Sequence, residues 1–141
     1  MGISPEARQK ANETKRRNGT FNTSKPEEEA YELLCERFSA DDVIRQYRSE
    51  VYPFNCDFYL KSRDLYIECN FSWTHGGHWY DPLDEADQAK LKKWQDKGTD
   101  FYNNAVETWT SRDAKKRQTA LDNNLNYQVF WSLDELMSWC S

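Results

Sequence analysis

The sequence predicts a mixed α/β (α+β) domain, in which a central mixed sheet is flanked by helices. Two patterns predict this class. Short segments alternate apolar and polar residues as strands do, and longer segments carry helix caps and apolar residues three or four positions apart. The composition agrees, because 38% of the 141 residues are hydrophobic and 15% are aromatic, which is sufficient for one core.

The first half of the domain is expected to contain one helix followed by three strands. Ser24, Pro26 and Glu27 form the start of a helix with a capping-box pattern, and apolar residues up to Phe38 give the helix a buried face. Residues 43–47 are expected to form the first strand. Alternation over residues 55–60 and 65–70, with a turn between them, predicts a hairpin, and the aromatic, glycine-rich residues 71–82 predict a loop.

The second half of the domain is expected to alternate helices with strands. The predicted elements are a helical stretch over 83–104 that is broken near Gly98, a strand over 105–109, a helix over 111–123 with Ser111 as its cap, a strand over 126–131 and a closing helix over 133–139.

Charge is distributed unevenly along the chain. The whole protein has a net charge of −5, but residues 1–26 carry +4 and residues 27–141 carry −9. Residues 1–23 have almost no apolar face, so we predict a basic helical arm with a linker there and a folded domain over 24–141. An arm of this charge suits a polyanion partner, and the alternative is a solvated, slightly basic helix. The basic residues expected to contact nucleic acid are Arg8, Lys10, Lys15, Arg16, Arg17 and Lys25.

Two classes of protein are not expected from this sequence. No apolar run is long enough to span a bilayer and the first residues contain no signal-peptide core, so we expect neither a membrane protein nor a secreted one but a cytoplasmic protein. The four cysteines, at positions 35, 56, 69 and 140, have neither the spacing of a zinc site nor that of a disulfide framework. We therefore expect four reduced thiols.

Acidic residues on the predicted hairpin are the first candidates for chemistry. Because alternate residues of a strand share a face, the hairpin can bring Asp57 and Glu68 together on one side of the sheet. Neighbouring carboxylates repel each other, and a hard divalent cation relieves that repulsion. Glu27, at the end of the predicted helix stripe, can reach over the sheet toward Asp57. The alternative is a set of ordinary surface acids.

Both histidines of the chain lie in the loop that follows, within Trp73-Thr74-His75-Gly76-Gly77-His78-Trp79-Tyr80-Asp81. Histidine transfers protons near neutral pH, so His75 and His78 are candidate bases. A second interpretation is a zinc site that uses both histidines with a nearby carboxylate. A third is a structural loop in which the histidines bond to the backbone.

These segments together resemble a known family. Ser24-x-x-Glu27, Asn55-Cys56-Asp57-Phe58, Ile67-Glu68-Cys69-Asn70 and Trp73-Thr74-His75-Gly76-Gly77-His78 look like a PD-(D/E)XK nuclease, a restriction-endonuclease-like fold. Within that fold the chain resembles the very-short-patch-repair endonucleases and the phage EDxHD homing endonucleases. The resemblance covers residues 24–131, and the strings SWTHGGHWYDP, TWTSRDAKKR and NNLNYQVFW are similar to phage-encoded endonucleases of that group.

The resemblance implies a Mg²⁺-dependent endonuclease that cuts double-stranded DNA, with Mn²⁺ as a substitute metal. It implies metal ligation by Asp57, Glu68 and Glu27. His75 would be the base, with His78 in reserve, and Asp81 would be the final acid, which orients the histidine or joins the metal shell. Trp79 would stack on or wedge between bases, and the nuclease could act as a homodimer.

One residue departs from the family pattern. Asn70 stands where the ordinary PD-(D/E)XK pattern has lysine, so no lysine at that position can act as the base. This departure keeps open a nucleic-acid-binding module without catalysis on the same fold, and the two histidines keep open a zinc-dependent hydrolase.

Overall fold

Residues 25–141 are described by the structure, which is a computed structural model. The predicted basic arm over 1–23, with Arg8, Lys10, Lys15, Arg16 and Arg17, lies outside the described residues. No helix among residues 25–141 has both the length and the apolar character needed to cross a bilayer.

The described residues form a mixed sheet of four strands, which confirms the predicted α+β class. The strands are β1 (Val43–Tyr47), β2 (Cys56–Leu60), β3 (Leu65–Cys69) and β4 (Asn126–Phe130), in spatial order β1-β2-β3-β4. The first three pair antiparallel, so the predicted hairpin is present, and β4 pairs parallel with β3.

Helices occupy both faces of this sheet. Their bounds are α1 (Lys25–Phe38), α2 (Glu85–Lys97), α3 (Asp100–Glu107), α4 (Asp113–Asp122) and α5 (Leu133–Cys140). Side-chain caps begin three of them, because Asp84, Thr99 and Ser132 each accept a hydrogen bond from a first-turn N–H of α2, α3 and α5. A short 3₁₀ turn, Trp73–His75, begins the long loop between β3 and α2.

Three apolar clusters hold these elements together. The main core lies where α1 and α5 meet one face of the sheet, and its buried members are Ala30, Leu34, Val43, Phe58, Leu60, Ile67, Phe130 and Leu136. The opposite face is largely aromatic and packs against α4 through Tyr52, Cys56, Tyr66 and Ala120. A separate cluster of Trp94, Ala105 and Trp109 joins α2 to α3. The third cluster, against which Tyr80 also packs, positions the loop that carries both histidines.

The strand predicted over residues 105–109 is wrong. These residues end α3 and enter a π-helical turn, Thr108–Arg112, which continues directly into α4. Ala105 and Trp109 are both buried four residues apart, which is the spacing of one helix face. The β-branched residues around Trp109 favour a strand locally, but burial of the indole determines the structure. Ser111 consequently lies inside this turn and caps no helix.

Gly76 holds the histidine loop close to the third cluster. It is buried at φ +73°, and a Cβ added there would overlap the indole of Trp109. Gly77 has a similar φ of +84°, but open space lies where its Cβ would be. An alanine at Gly76 would therefore meet both backbone strain and steric overlap, whereas an alanine at Gly77 would meet backbone strain alone.

We predict that Gly76→Ala destabilises the protein by about 3 kcal/mol, because left-handed strain and overpacking against Trp109 add together. Gly77→Ala should cost only about 1 kcal/mol, since it adds the strain alone. Urea unfolding of both variants beside the wild type measures the difference. Equal losses would show that Trp109 does not constrain the loop.

Candidate functional site

Two of the predicted acids meet on the hairpin. Asp57 and Glu68 lie one step beyond the last paired residues of β2 and β3, where the register would place them opposite each other. The Asp57 N–H donates to Glu68 Oε1 at 3.2 Å, and the Cys69 N–H donates to Asp57 Oδ2 at 2.7 Å. Main-chain groups therefore fix both carboxylates.

Glu27, in the first turn of α1, is the third predicted acid. Its Oε1 accepts a hydrogen bond from Gln46 Nε2 at 3.2 Å. Gln46 has φ +52° within β1, between Arg45 and Tyr47, which pair with β2 in one unbroken register. A left-handed residue inside a strand is strained, and this one directs its amide at Glu27.

Electrostatic coupling shows that the three acids are neighbours. Burial raises the pKa of Asp57 well above its usual value, and the negative charges of Glu68 and Glu27 raise it further. Burial also raises the pKa of Glu27, where Arg45 opposes the effect and Glu28 and Glu68 add to it. A cation bound among these carboxylates would relieve the repulsion.

Glu68 is only 3% exposed and has several partners. Tyr52 Oη donates to Glu68 Oε2 at 2.5 Å, and Lys116 Nζ lies 3.5 Å from the same oxygen. The hydroxyl of Tyr127 lies 3.0 Å from that of Tyr52, so the network extends to β4. Burial and the charge of Glu68 raise the pKa of both tyrosines, which keeps them protonated as donors.

His75 forms an ion-pair geometry with Asp113, the first residue of α4. Its Nδ1 lies 2.7 Å from Asp113 Oδ2, and Asp113 is 3% exposed. Because a carboxylate oxygen accepts, Nδ1 carries the proton and Nε2 is left to act as a base. Ser72 accepts a hydrogen bond from the Thr74 N–H and so begins the 3₁₀ turn that presents His75.

One turn of α4 contacts both the His75–Asp113 pair and the carboxylate of Glu68. Asp113 and Lys116 are three residues apart, so they share a helix face with Cβ atoms about 5–6 Å apart. Asp113 bonds to His75, and Lys116 bonds to Glu68. Both Asp113 and Glu68 also act electrostatically on Tyr127. One face of α4 therefore contacts both the loop histidine and Glu68 of the hairpin.

Asp81 has a different position from the one that the family resemblance implies. The partner of His75 is Asp113, whereas the Asp81 carboxylate accepts from the Leu83 N–H at 2.9 Å and so stabilises a turn. The Asp81 N–H donates to Asp87, whose carboxylate also bonds to His78 Nε2 at 2.7 Å. The geometry offers Asp113 for the orienting role, because its carboxylate bonds to His75, and a role for Asp81 stays a prediction.

The second histidine belongs to this turn. Burial raises the pKa of Asp87, but the hydrogen bonds from the Asp81 N–H and from His78 outweigh it, and the pKa is lowered. Trp109 Nε1 donates to the His78 carbonyl at 2.8 Å. His75 and His78 thus bond to different acids, Asp113 of α4 and Asp87 of α2.

The family resemblance implies Mg²⁺ at the three carboxylates, Asp57, Glu68 and Glu27. Within residues 25–141, no group of three or more His, Cys, Asp or Glu side chains is arranged to hold a metal ion. Mg²⁺ usually takes one or two protein carboxylates and completes its shell with water and substrate phosphates. Asp57 and Glu27 supply hard oxygen donors whose pKa values are raised chiefly by burial and further by neighbouring carboxylates, which fits such a site.

Two of the predicted nucleic-acid contacts, Lys25 and Trp79, lie among the described residues. Lys25 is exposed at the start of α1, away from any described contact that would assign it a role. Trp79 is half-buried, with its ring edge-on to Trp131 at 5.0 Å and Arg117 stacked 4.7 Å above it. Trp79 therefore packs as one wall of a 360 Å³ groove beside α4.

Four contributors were missed by the sequence analysis: Asp113, Lys116, Tyr52 and Gln46. Asp113 and Lys116 have the i, i+3 spacing of a helix face, and this was the only local signal that could have linked them. Tyr52 and Gln46 are placed by tertiary contacts and carry no local signal.

Comparison with protein-family models, curated proteins and solved structures finds no match to this chain.

We predict that Asp57→Asn stabilises the metal-free protein at neutral pH. A raised pKa means that the folded state binds the proton more tightly, so ionised Asp57 destabilises the fold increasingly as pH rises from about 4. Asparagine retains the acceptor for the Cys69 N–H without the charge. The melting temperature at pH 7 in EDTA should rise by about 3 °C, and the difference should vanish near pH 4.

Asp42→Asn is the matched control. Hydrogen bonds from the Ser62 hydroxyl and N–H lower the pKa of Asp42, so its removal should reduce stability above pH 4 and not below it. A lower melting temperature for Asp57→Asn at pH 7 would contradict the charge crowding.

Proposed function

We propose that the protein is a metal-dependent DNA endonuclease of the PD-(D/E)XK type, within the EDxHD branch. One observation carries the proposal: a single turn of α4 joins the His75–Asp113 pair to the carboxylates through Lys116 and Glu68. Phosphodiester hydrolysis needs a base for water, charge stabilisation at the phosphate and a proton for the leaving oxygen. The site contains candidates for the first two needs, and the proton that His75 takes from the attacking water can return to the leaving oxygen through solvent.

His75 serves as the base in this proposal. Asp113 accepts from Nδ1–H and fixes the ring, so Nε2 takes the proton of the attacking water. Asp113 acts through His75 and is a positioning residue. Its burial behind the histidine holds the ring in one orientation.

The carboxylates serve as the metal site. Asp57, with Glu27 and Glu68, would hold Mg²⁺ or Mn²⁺, which supplies Lewis-acid stabilisation of the charged phosphate. Gln46 and the main-chain N–H groups orient two of these acids before any substrate arrives. Glu68 is already bonded by Tyr52 and Lys116, so we assign it chiefly to positioning.

Lys116 answers the departure at Asn70. The strand position that carries lysine in the ordinary family pattern is occupied here by a buried asparagine. Lys116 reaches Glu68 from α4, and its positive charge offsets part of the rise in the pKa of Asp57. An ammonium group there can stabilise negative charge on the scissile phosphate.

A nucleic-acid-binding module without catalysis is the second candidate. The observation that favours it is Glu68, because both of its oxygens are already bonded to protein groups. Such a module would bind DNA and would cleave none with any metal.

We predict that the purified protein converts supercoiled plasmid to open-circle or linear DNA with Mg²⁺ or Mn²⁺ and not with EDTA. Asp57→Ala and His75→Ala should each lower the rate at least about a hundredfold. Asp113→Asn should lower kcat by about tenfold with KM unchanged, and by more than Asp81→Asn does. Asp122→Asn, at the far end of α4, is the control.

The outcomes of the plasmid assay separate the candidates. Cleavage that survives Asp57→Ala would refute the proposed site, and DNA binding without cleavage under either metal would favour the binding module. A larger loss from Asp81→Asn than from Asp113→Asn would restore Asp81 as the orienting acid.

We predict that Lys116→Ala lowers kcat by about a hundredfold. Lys115→Ala, an exposed neighbour on the same helix, should leave the rate unchanged. A structural role for Lys116 would lower the melting temperature and spare kcat at low temperature, and partial rescue by Lys116→Arg would support a role for the charge. An unchanged rate in a folded Lys116→Ala protein would remove Lys116 from the mechanism.

A further inference from the structure

A basic surface lies between the histidine loop and α2. A pocket of 500 Å³ opens between the loop and α2, with lysine and aromatic side chains on its walls. Lys90, Lys93 and Lys97 line it, and none of the described residues that line it is acidic. This local excess of positive charge contrasts with the net −9 of residues 27–141.

The three lysines share one face of α2 through their i, i+3 and i+7 spacing. Lys90 Nζ donates to the Gly76 carbonyl at 3.1 Å, so Lys90 fixes the loop. Lys93 and Lys97 are exposed, and one helical turn, about 6 Å of rise, separates them. Lys92, by contrast, does not line this pocket and pairs with Asp96 at 3.3 Å.

Exposed aromatic rings lie beside these lysines. Trp73 is 43% exposed and Phe101 is 63% exposed, and their ring centroids are 5.2 Å apart. Exposed rings interleaved with basic side chains are typical of surfaces that follow a nucleic-acid strand, because bases stack on the rings while the cations contact phosphates. An acidic peptide would use the lysines and leave the rings unused.

The backbone between the lysines and His75 also permits close approach. Gly77 is exposed at φ +84°, and nothing lies within 4 Å of the place where its Cβ would be. Gly77 follows His75 by two residues, so this surface includes the loop segment that carries the proposed base.

We propose that this surface, formed by Lys93, Lys97, Phe101 and Trp73, binds the phosphate backbone of a DNA strand next to the cleavage site. The inference rests on the proposed function and adds a contact surface to it. It places DNA binding on the folded domain, independently of the N-terminal basic residues. Lys93 and Lys97 supply the phosphate contacts, and Phe101 supplies a stacking surface.

The test is fluorescence anisotropy of the full chain with a short fluorescein-labelled duplex in EDTA, over a range of salt concentrations. The double variant Lys93→Gln/Lys97→Gln should weaken binding about tenfold and reduce the salt slope by about 2, because two phosphate contacts are lost. Phe101→Ala should weaken binding of a duplex with an unpaired base more than binding of the intact duplex. Lys92→Gln is the matched control and should change neither quantity.

Each outcome bears on the surface. If the wild type binds DNA and the double variant keeps its affinity and salt slope, the surface is refuted while the endonuclease proposal stands. An equal loss from Lys92→Gln would indicate a general charge effect and would also refute it. Competition by polyglutamate as strong as that by unlabelled duplex would overturn DNA as the occupant. A wild type that neither binds nor cleaves DNA would overturn both proposals.

Discussion

The buried carboxylate of Glu68 is the group on which the rest of the structure depends. Three separate parts of the chain bond to it: the hydroxyl of Tyr52 before β2, the N–H of Asp57 in β2, and Lys116 of α4. An ion removed from water costs several kcal/mol unless hydrogen bonds and opposite charge compensate it. Packing of α4 on this face of the sheet supplies that compensation, and the same packing delivers Asp113 to His75. The fold and the candidate site are therefore stabilised by the same contacts.

Most of the fold could be predicted because its elements are locally encoded. The hairpin follows from strict alternation, and α1 from its capping pattern and apolar stripe. The failure at residues 105–109 has a tertiary cause. The aromatic cluster around Trp109 determines the helical conformation of that segment. The local pattern of threonine and tryptophan cannot predict which residues the indole packs against.

The candidate site was predicted only in part, for a related reason. Asp57 and Glu68 are encoded by a hairpin register that can be read from the sequence, and His75 by its unusual loop. Asp113 lies 38 positions from His75, and the family resemblance implied Asp81 as the final acid instead. Side chains that converge from distant segments need the arrangement of helices on the sheet before they can be found.

The π-helical turn of Thr108–Arg112 joins α3 directly to α4 and fixes the rotation of one helix about the common axis relative to the other. Within the turn, Trp109 is bound into the aromatic cluster; after it, Asp113 bonds to His75 and Lys116 pairs with Glu68. Each residue of an α-helix advances the side-chain direction by about 100°. Loss or gain of one residue here would rotate one helix against the other, and neither helix is free to turn. The segment is therefore expected to accept changes of residue type at its exposed positions far more readily than any change of length.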